Sequence, residues 1–240
     1  MDEGRLNVLV LGIESSTAQV GVAIGGHEGV LAQAHSSRGK RHAENLTPAI
    51  DFVRRQARID LHEISCVAVD PGPGLFTGLR VGVASAKAIA HALRVPMIGV
   101  PSLDLLAFPV RFSPRRIVAT IDARRGEVFY AFYRQVPGGV QRLTDHQLGT
   151  PDDLASELLA SGEDTLLVGD GALRYAEEFE GLSRVEIADT GLAYPSAASL
   201  VQLAHAQALR EDWVKPWDLH PLYLRAPDAE INWTTREARA

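Results

Sequence analysis

The chain has 240 residues, 46% of them hydrophobic and 22% charged, with a formal net charge of −6. That length suffices for one large lobe or two small ones with real cores, and the composition is ordinary for a soluble protein. The negative balance makes the chain a poor stand-alone binder of RNA or DNA, because phosphate contacts supply most of such affinity, although a basic patch could exist locally. The local basic groups Arg38, Lys40, Arg41 and Arg54, Arg55, Arg58 read as solvated helix faces.

In chain order, Asn7 to Ile13 is an apolar β-rich run that ends before the turn Glu14-Ser15-Ser16. Val20 to Ile24 predicts a second strand, a glycine turn follows, and Val30 to His35 predicts a third. Leu46, Ile50, Val53 and Ala57 recur at helical spacing and predict a helix over Ala43 to Arg58. Val67 to Asp70 is a short buried strand, opened by the single cysteine, Cys66, whose place predicts a buried, inert thiol. A glycine- and proline-rich loop leads into a helix over Thr77 to Leu93, and Pro96 to Val100 is another strand.

The second half repeats this order. Arg116 to Ile121 is a strand, "DARRGE" a turn, Val128 to Arg134 a half-buried strand, and Val140 to Leu148 its return. Thr150 is placed as a helix N-cap with Pro151 at the first helical position. "TLLVGDGA" is a strand entering a glycine turn, and a further helix follows. Glu14 and Asp122 each close a first strand, so the pattern predicts an internal duplication with a cleft between lobes. The predicted division is residues 1–108 plus 193–240 for an N-terminal lobe and 109–192 for a smaller C-terminal lobe. In it "PVRFSPRR" crosses between lobes, a helix over Ser196 to Arg210 packs back on the first, and the tail from Trp213 lies extended on the surface. Met1 to Arg5 lack the basic start of a signal peptide, and no apolar run reaches transmembrane length. The expected location is the cytoplasm, with no membrane partner.

Two stretches carry candidate chemistry. In "DPGPGLFTGLR", Gly72 and Gly74 allow positive φ, Thr77 could cap the helix, and Arg80 lies in its first turn, which together would suit a phosphate. It is not a Walker motif, and a tight strand-to-helix connection carries equal weight. In the helix, Gly78, Gly82, Ala86 and Ala90 recur every four residues and Leu79 and Val83 widen the stripe. Interior glycine costs about 1 kcal/mol relative to alanine, so a close neighbour is expected, either a second protein or the chain's own lobe. Glu14 and Asp70 are predicted at the carboxyl ends of neighbouring strands, which would suit metal-assisted phosphoryl chemistry, but no third carboxylate or histidine pair completes a site. Asp104 is placed as a helix cap, and "GDG" at Gly169 to Gly171 as a bare turn or an adenosine contact.

These segments resemble the bacterial TsaB (YeaZ) family over nearly the whole length. The resemblance rests on "LGIESSTAQVGVAI", "RHAENLTPAID", "VAVDPGPGLFTGLRVGVASAKAIAHAL", "PMIGVPSLDLLA", "TIDARRGEVFYAFY" and the late "LYLR". It implies an α/β fold of duplicated ribonuclease H-like lobes, that of the actin, Hsc70 and sugar-kinase (ASKHA) superfamily. It implies a non-catalytic role in making threonylcarbamoyladenosine in tRNA, beside a TsaD-type transferase and a TsaE-type ATPase, with TsaC supplying the activated group. Glu14-Ser15-Ser16 departs from the family's usual Asp-Thr-Ser towards the TsaD pattern. However, Ser102 and Leu106 stand where TsaD carries two metal-binding histidines, and leucine has no donor atom.

The resemblance further implies a heterodimer through first-lobe helices, on this chain His42, Leu46, Ile50 and Val53 with Gly78, Leu79, Gly82, Val83, Ala86 and Ala90. Gly82→Leu is then expected to leave the fold intact and block docking. No catalytic residue, metal or required cofactor is implied; ATP or ADP at the complex interface, tRNA held only through the complex, and a homodimer through the same face are allowed. The competing reading is a small ASKHA-type ATPase or kinase acting alone, using Glu14, Asp70, Gly72, Gly74 and Gly169 to Gly171. A ribonuclease H-like nuclease and a metalloprotease are weaker still.

Overall fold

The computed structural model describes residues 8–37 and 42–225. Arg38, Lys40 and Arg41, and the side chain of His42, lie outside the described residues.

The first half comprises β1 (Val10–Glu14), β2 (Val20–Gly26), β3 (Gly29–Ser36), α1 (His42–Ala57), β4 (Cys66–Val69), α2 (Phe76–Leu93), β5 (Met97–Gly99) and α3 (Ser102–Ala107). Its sheet runs β3-β2-β1-β4-β5, antiparallel across β3, β2 and β1 and parallel across β1, β4 and β5. Continuous apolar runs in β1 and β4 fit strands covered on both faces. Leu11, Ile13, Val67 and Val69 pack under α1 and α2. Val10, Cys66 and Ala68 point to the opposite layer.

The second half comprises β6 (Arg116–Arg124), β7 (Glu127–Val136), β8 (Gly139–Arg142), β9 (Gln147–Gly149), α4 (Pro151–Ser161), β10 (Thr165–Val168), α5 (Asp170–Arg174), α6 (Ala176–Phe179), β11 (Val185–Ile187) and α7 (Ala197–Ala208). Its sheet runs β11-β10-β6-β7-β8, with β9 also on β7. Read from β8, this is the strand order and orientation of the first sheet. The fold is therefore the duplicated ribonuclease H-like architecture of the ASKHA superfamily.

Two helices join the layers. α7 lies across β1 and β2, burying Leu200, Val201 and Ala204 with Val10, Cys66 and Ala68. α3 sits between the sheets: Leu105 enters the α7 layer, while Leu103, Leu106 and Ala107 enter the core of the second sheet. Cys66 is wholly buried, and burial pushes its thiol up to about 12. Thr150 caps α4, accepting from the Asp153 amide, with Pro151 at the helix start.

Three expectations change. The strand foreseen over Val140 to Leu148 is two, β8 and β9, because the chain bends where Thr144 Oγ1 accepts from the Phe132 amide at 3.2 Å. Asp104 caps nothing: Pro101 occupies the N-cap of α3. The tail is not merely laid on the surface. Its backbone pairs Val214 with Met97, and Leu219, 6% exposed, joins the first core.

Candidate functional site

Parallel pairing of β1 with β4 matches Ile13 to Val69, which sets Glu14 beside Asp70. Both are buried. Glu14 Oε1 accepts from the Ser16 amide at 2.8 Å and the Ser16 hydroxyl at 2.7 Å. Asp70 Oδ1 accepts from the Gly72 amide and the Ser102 hydroxyl, each at 2.7 Å. Glu14 Oε2 and Asp70 Oδ2 are buried without a partner. Burial first, and then the neighbouring Asp70, hold the Glu14 carboxyl well above its usual range. Burial pushes Asp70 up to about 7 despite the opposing bonds from Ser102 and Gly72. Asp170, which opens α5 after β10 of the second sheet, raises Glu14 further by its charge.

The loop that would suit a phosphate is filled by its own chain. A Cβ on Gly74 would run into the Ser16 carbonyl, whose oxygen accepts from the Leu75 amide at 2.7 Å. The Gly72 amide is spent on Asp70, and the Leu222 amide donates to the Pro71 carbonyl at 2.7 Å. Thr77 is not the cap, since α2 begins at Phe76 behind Leu75. Arg80 turns away from the loop: its guanidinium lies 3.9 Å from the Phe76 ring centroid and donates to Tyr223 Oη at 3.2 Å. "GDG" is likewise packed, with Gly171 against Thr120 and Ile121 of β6. Among the described residues no group of three His, Cys, Asp or Glu side chains could hold a metal ion.

The glycine–alanine stripe of α2 also faces inward. Gly78, Leu79, Gly82, Val83, Ala86 and Ala90 are buried within the chain. The Ser15 hydroxyl donates to the Gly78 carbonyl at 2.9 Å, and a Cβ on Gly82 would strike Ser15 Oγ. The small residues admit the β1 turn, so as a partner-facing seam they are a misassignment. On α1, Leu46 and Val53 are buried too and Ile50 is half-buried. What faces outward is a different set: Thr77, Ala84, Ala88 and Ala92 on α2, and Phe52 on α1 at 52% exposure.

A second concentration of functional groups closes the "DARRGE" hairpin between β6 and β7. Arg124, Arg125 and Gly126 all have positive φ, at 64°, 60° and 78°. Asp122 Oδ2 is met by Arg124 at 2.8 Å and Arg174 at 3.3 Å, and the Asp122 amide donates to Asp170 Oδ1 at 3.0 Å. Burial pushes the Asp170 carboxyl up to about 6. The tail arrives here after crossing the first lobe. Tyr223 stacks on Phe76 with ring centroids 5.3 Å apart, Leu224 packs on the second core, and Arg225 bonds the Ala123 carbonyl and pairs with Glu127. The sequence pattern marks this turn but gives its arginines no role, and it misses Phe76, Arg174, Tyr223 and Arg225. The available signal is two arginines at a hairpin tip, where glycine or asparagine is the ordinary choice.

A cavity of about 350 Å³ opens elsewhere, between the β7–β8 turn and α7, over Asp104, Tyr133, Arg142 and Arg210. Burial would raise the Asp104 carboxyl, but bonds from His146 and Tyr133 and the Arg142 charge hold it below its usual value.

A family model for TsaD, described as tRNA N6-adenosine threonylcarbamoyltransferase, matches residues 29–233. An uncharacterised protein of Mycobacterium leprae is 40% identical over 227 residues, 92% of this chain, and this chain spans 56% of that relative's length. A protein of Haemophilus influenzae named tRNA threonylcarbamoyladenosine biosynthesis protein TsaB is 26% identical over 235 residues, covering 95% of this chain and 96% of that one. The solved structure of YeaZ from Pseudomonas aeruginosa superposes with a TM-score of 0.80 at 25% identity, over 90% of this chain and all of that chain.

Proposed function

Because the chain belongs to the TsaB (YeaZ) family, within the wider TsaD sequence family, we propose that it is a non-catalytic subunit of cytoplasmic tRNA threonylcarbamoyladenosine synthesis. It docks a TsaD-type transferase, helps recruit a TsaE-type ATPase, and turns over no substrate alone. The observation that carries this reading is the outward face of the α1–α2 pair. These helices pack side by side and leave Phe52 on one and Ala84, Ala88 and Ala92 on the other uncovered. An exposed aromatic ring on one helix and a strip of exposed small residues on the other suit a second helical pair, which would bury apolar area and approach closely. Ser102 and Leu106 support the non-catalytic part: the Ser102 hydroxyl is committed to Asp70, and Leu106 is buried in the second core.

Mixing the purified chain with a TsaD-type transferase should give a heterodimer on gel filtration at micromolar concentration. Ala88→Arg and Phe52→Asp, both at exposed positions, should each weaken it at least tenfold while leaving the melting temperature nearly unchanged. Separate elution of the wild-type proteins, or tight Mg-ATP binding with hydrolysis by this chain alone, would favour a self-sufficient ATPase instead.

A further inference from the structure

We propose that the cavity between the β7–β8 turn and α7 binds an apolar α-amino acid as its zwitterion, with the ammonium on Asp104 and the carboxylate on Arg210. None of the residues lining this cavity belongs to α1 or α2, so the site stands apart from the docking role above.

Three observations carry it. The first is an acceptor. Tyr133 Oη donates to Asp104 Oδ1 at 2.7 Å and Arg142 at 3.3 Å, and His146 Nε2 lies 3.8 Å from the same oxygen. Asp104 Oδ2 takes no bond among the described residues and is not sealed from solvent. Against burial, the bonds from His146 and Tyr133 and the Arg142 charge keep this carboxyl below its usual range, so it is ionised at neutral pH. An ionised oxygen open to a cavity is a seat for a positively charged N–H donor.

The second is a cation. The charged residues of the lining are Asp104, Arg142 and Arg210. Arg142 is committed to Asp104 and meets His146 at 2.6 Å. Arg210 has no ion pair or side-chain hydrogen bond among the described residues. Glu211 and Asp212 follow it in the chain but form no part of the lining. With Asp104 and Arg142 cancelling, the Arg210 guanidinium is left for an anionic group. Gln207, three residues earlier and also in the lining, adds an amide donor.

The third is the remainder of the wall, which is largely apolar. Leu203 comes from the α7 layer and Val140 from the second core, with Val100 after β5 and Val136 in the turn. The turn does not fill the space, since a Cβ on Gly138 or Gly139 would meet nothing within 4 Å. The volume of about 350 Å³ is at the small end for ligand cavities. A phosphate or a plain carboxylate would set its charge against Asp104, and a plain amine would set its charge against Arg210. A zwitterion with an apolar body meets all three parts of the wall.

The test is a ligand-observed NMR titration of the full chain at about pH 6.5, where α-amines are charged. The probes are L-leucine, L-leucinamide, which lacks the carboxylate, and 4-methylpentanoate, which lacks the ammonium. L-leucine should bind about tenfold more tightly than either analogue, the factor expected for one bond to a charged group. Arg210→Ala, at an exposed position, should melt as wild type does. It should bind leucine about tenfold more weakly and leucinamide as before. Asp104→Asn keeps an acceptor for Tyr133; it should weaken leucine and leucinamide alike and bind 4-methylpentanoate no less tightly. No leucine binding by wild type up to about 10 mM, or leucine affinity unchanged by Arg210→Ala, overturns the proposal. An analogue that matches leucine overturns it in favour of a plain amine or a plain carboxylate. The docking role fails separately, in the heterodimer assay, which contains no amino acid.

Discussion

Asp70 and Glu14 carry oxygens that nothing satisfies, and this has a measurable sign. The folded Asp70 carboxyl is pushed up to about 7 by burial, against an ordinary 3.8. Between those values the native state keeps a proton that the unfolded chain has released. The stability associated with the protonated form is present in full below about pH 4, falls as pH rises towards 7, and is lost above it. Asp70→Asn retains an oxygen for the Gly72 amide and the Ser102 hydroxyl and presents an amide where the unpaired oxygen stood. We expect it to stabilise the chain by roughly 2–4 kcal/mol at pH 8 and to remove the Asp70 share of the slope between pH 4 and 7, leaving that of Glu14 and Asp170. Urea midpoints across that range check this; a variant less stable than wild type at pH 8 would contradict it. The adjacency of these two residues was legible in the sequence, because each ends an apolar strand at a turn. Their missing partners were not, since only packing decides which lone pairs water can reach.

Periodicity marked α2 correctly as a helix with a flat stripe, but it could not say what the stripe lies against. A helix apolar around most of its circumference has the same pattern whether a sheet or a partner covers a given side. The decisive contact, Ser15 against Gly78 and Gly82, lies across a gap of more than sixty residues in the sequence. Gly82→Leu is therefore a folding mutation rather than a docking probe. Even Gly82→Ala places a methyl on Ser15 Oγ and should cost about 1–3 kcal/mol, read as a lower thermal midpoint. An unchanged midpoint would mean that the β1 turn yields easily. Thr77 misled for a related reason: α2 begins one residue earlier, at Phe76, with Leu75 in the cap position. That leaves the threonine exposed inside the first turn.

Across the whole molecule, the duplicated strand order was visible as two similar runs of strands, helices and turns, even though the halves share little sequence. The course of the tail was not visible, because "WDLHPLYLR" has no periodicity to follow. It behaves as a strap: Leu219 is anchored in the first core, Leu224 in the second, and Arg225 on the hairpin. Leu219→Ala should lower stability by about 2–3 kcal/mol and raise hydrogen exchange at both Met97 and Glu127, although only Met97 shares its core. Exchange changes confined to the first lobe would show that the strap transmits nothing. The path of α7 has a further consequence, for synthesis on the ribosome. The sheet built from the chain's beginning receives its second cover only when residues 197–208 emerge. At ordinary translation speeds, the stretch from Ile98 to Ala208 takes on the order of ten seconds to make. Throughout that interval the nascent sheet presents an oily face, so the newborn chain is a natural client for chaperones that wait at the exit tunnel.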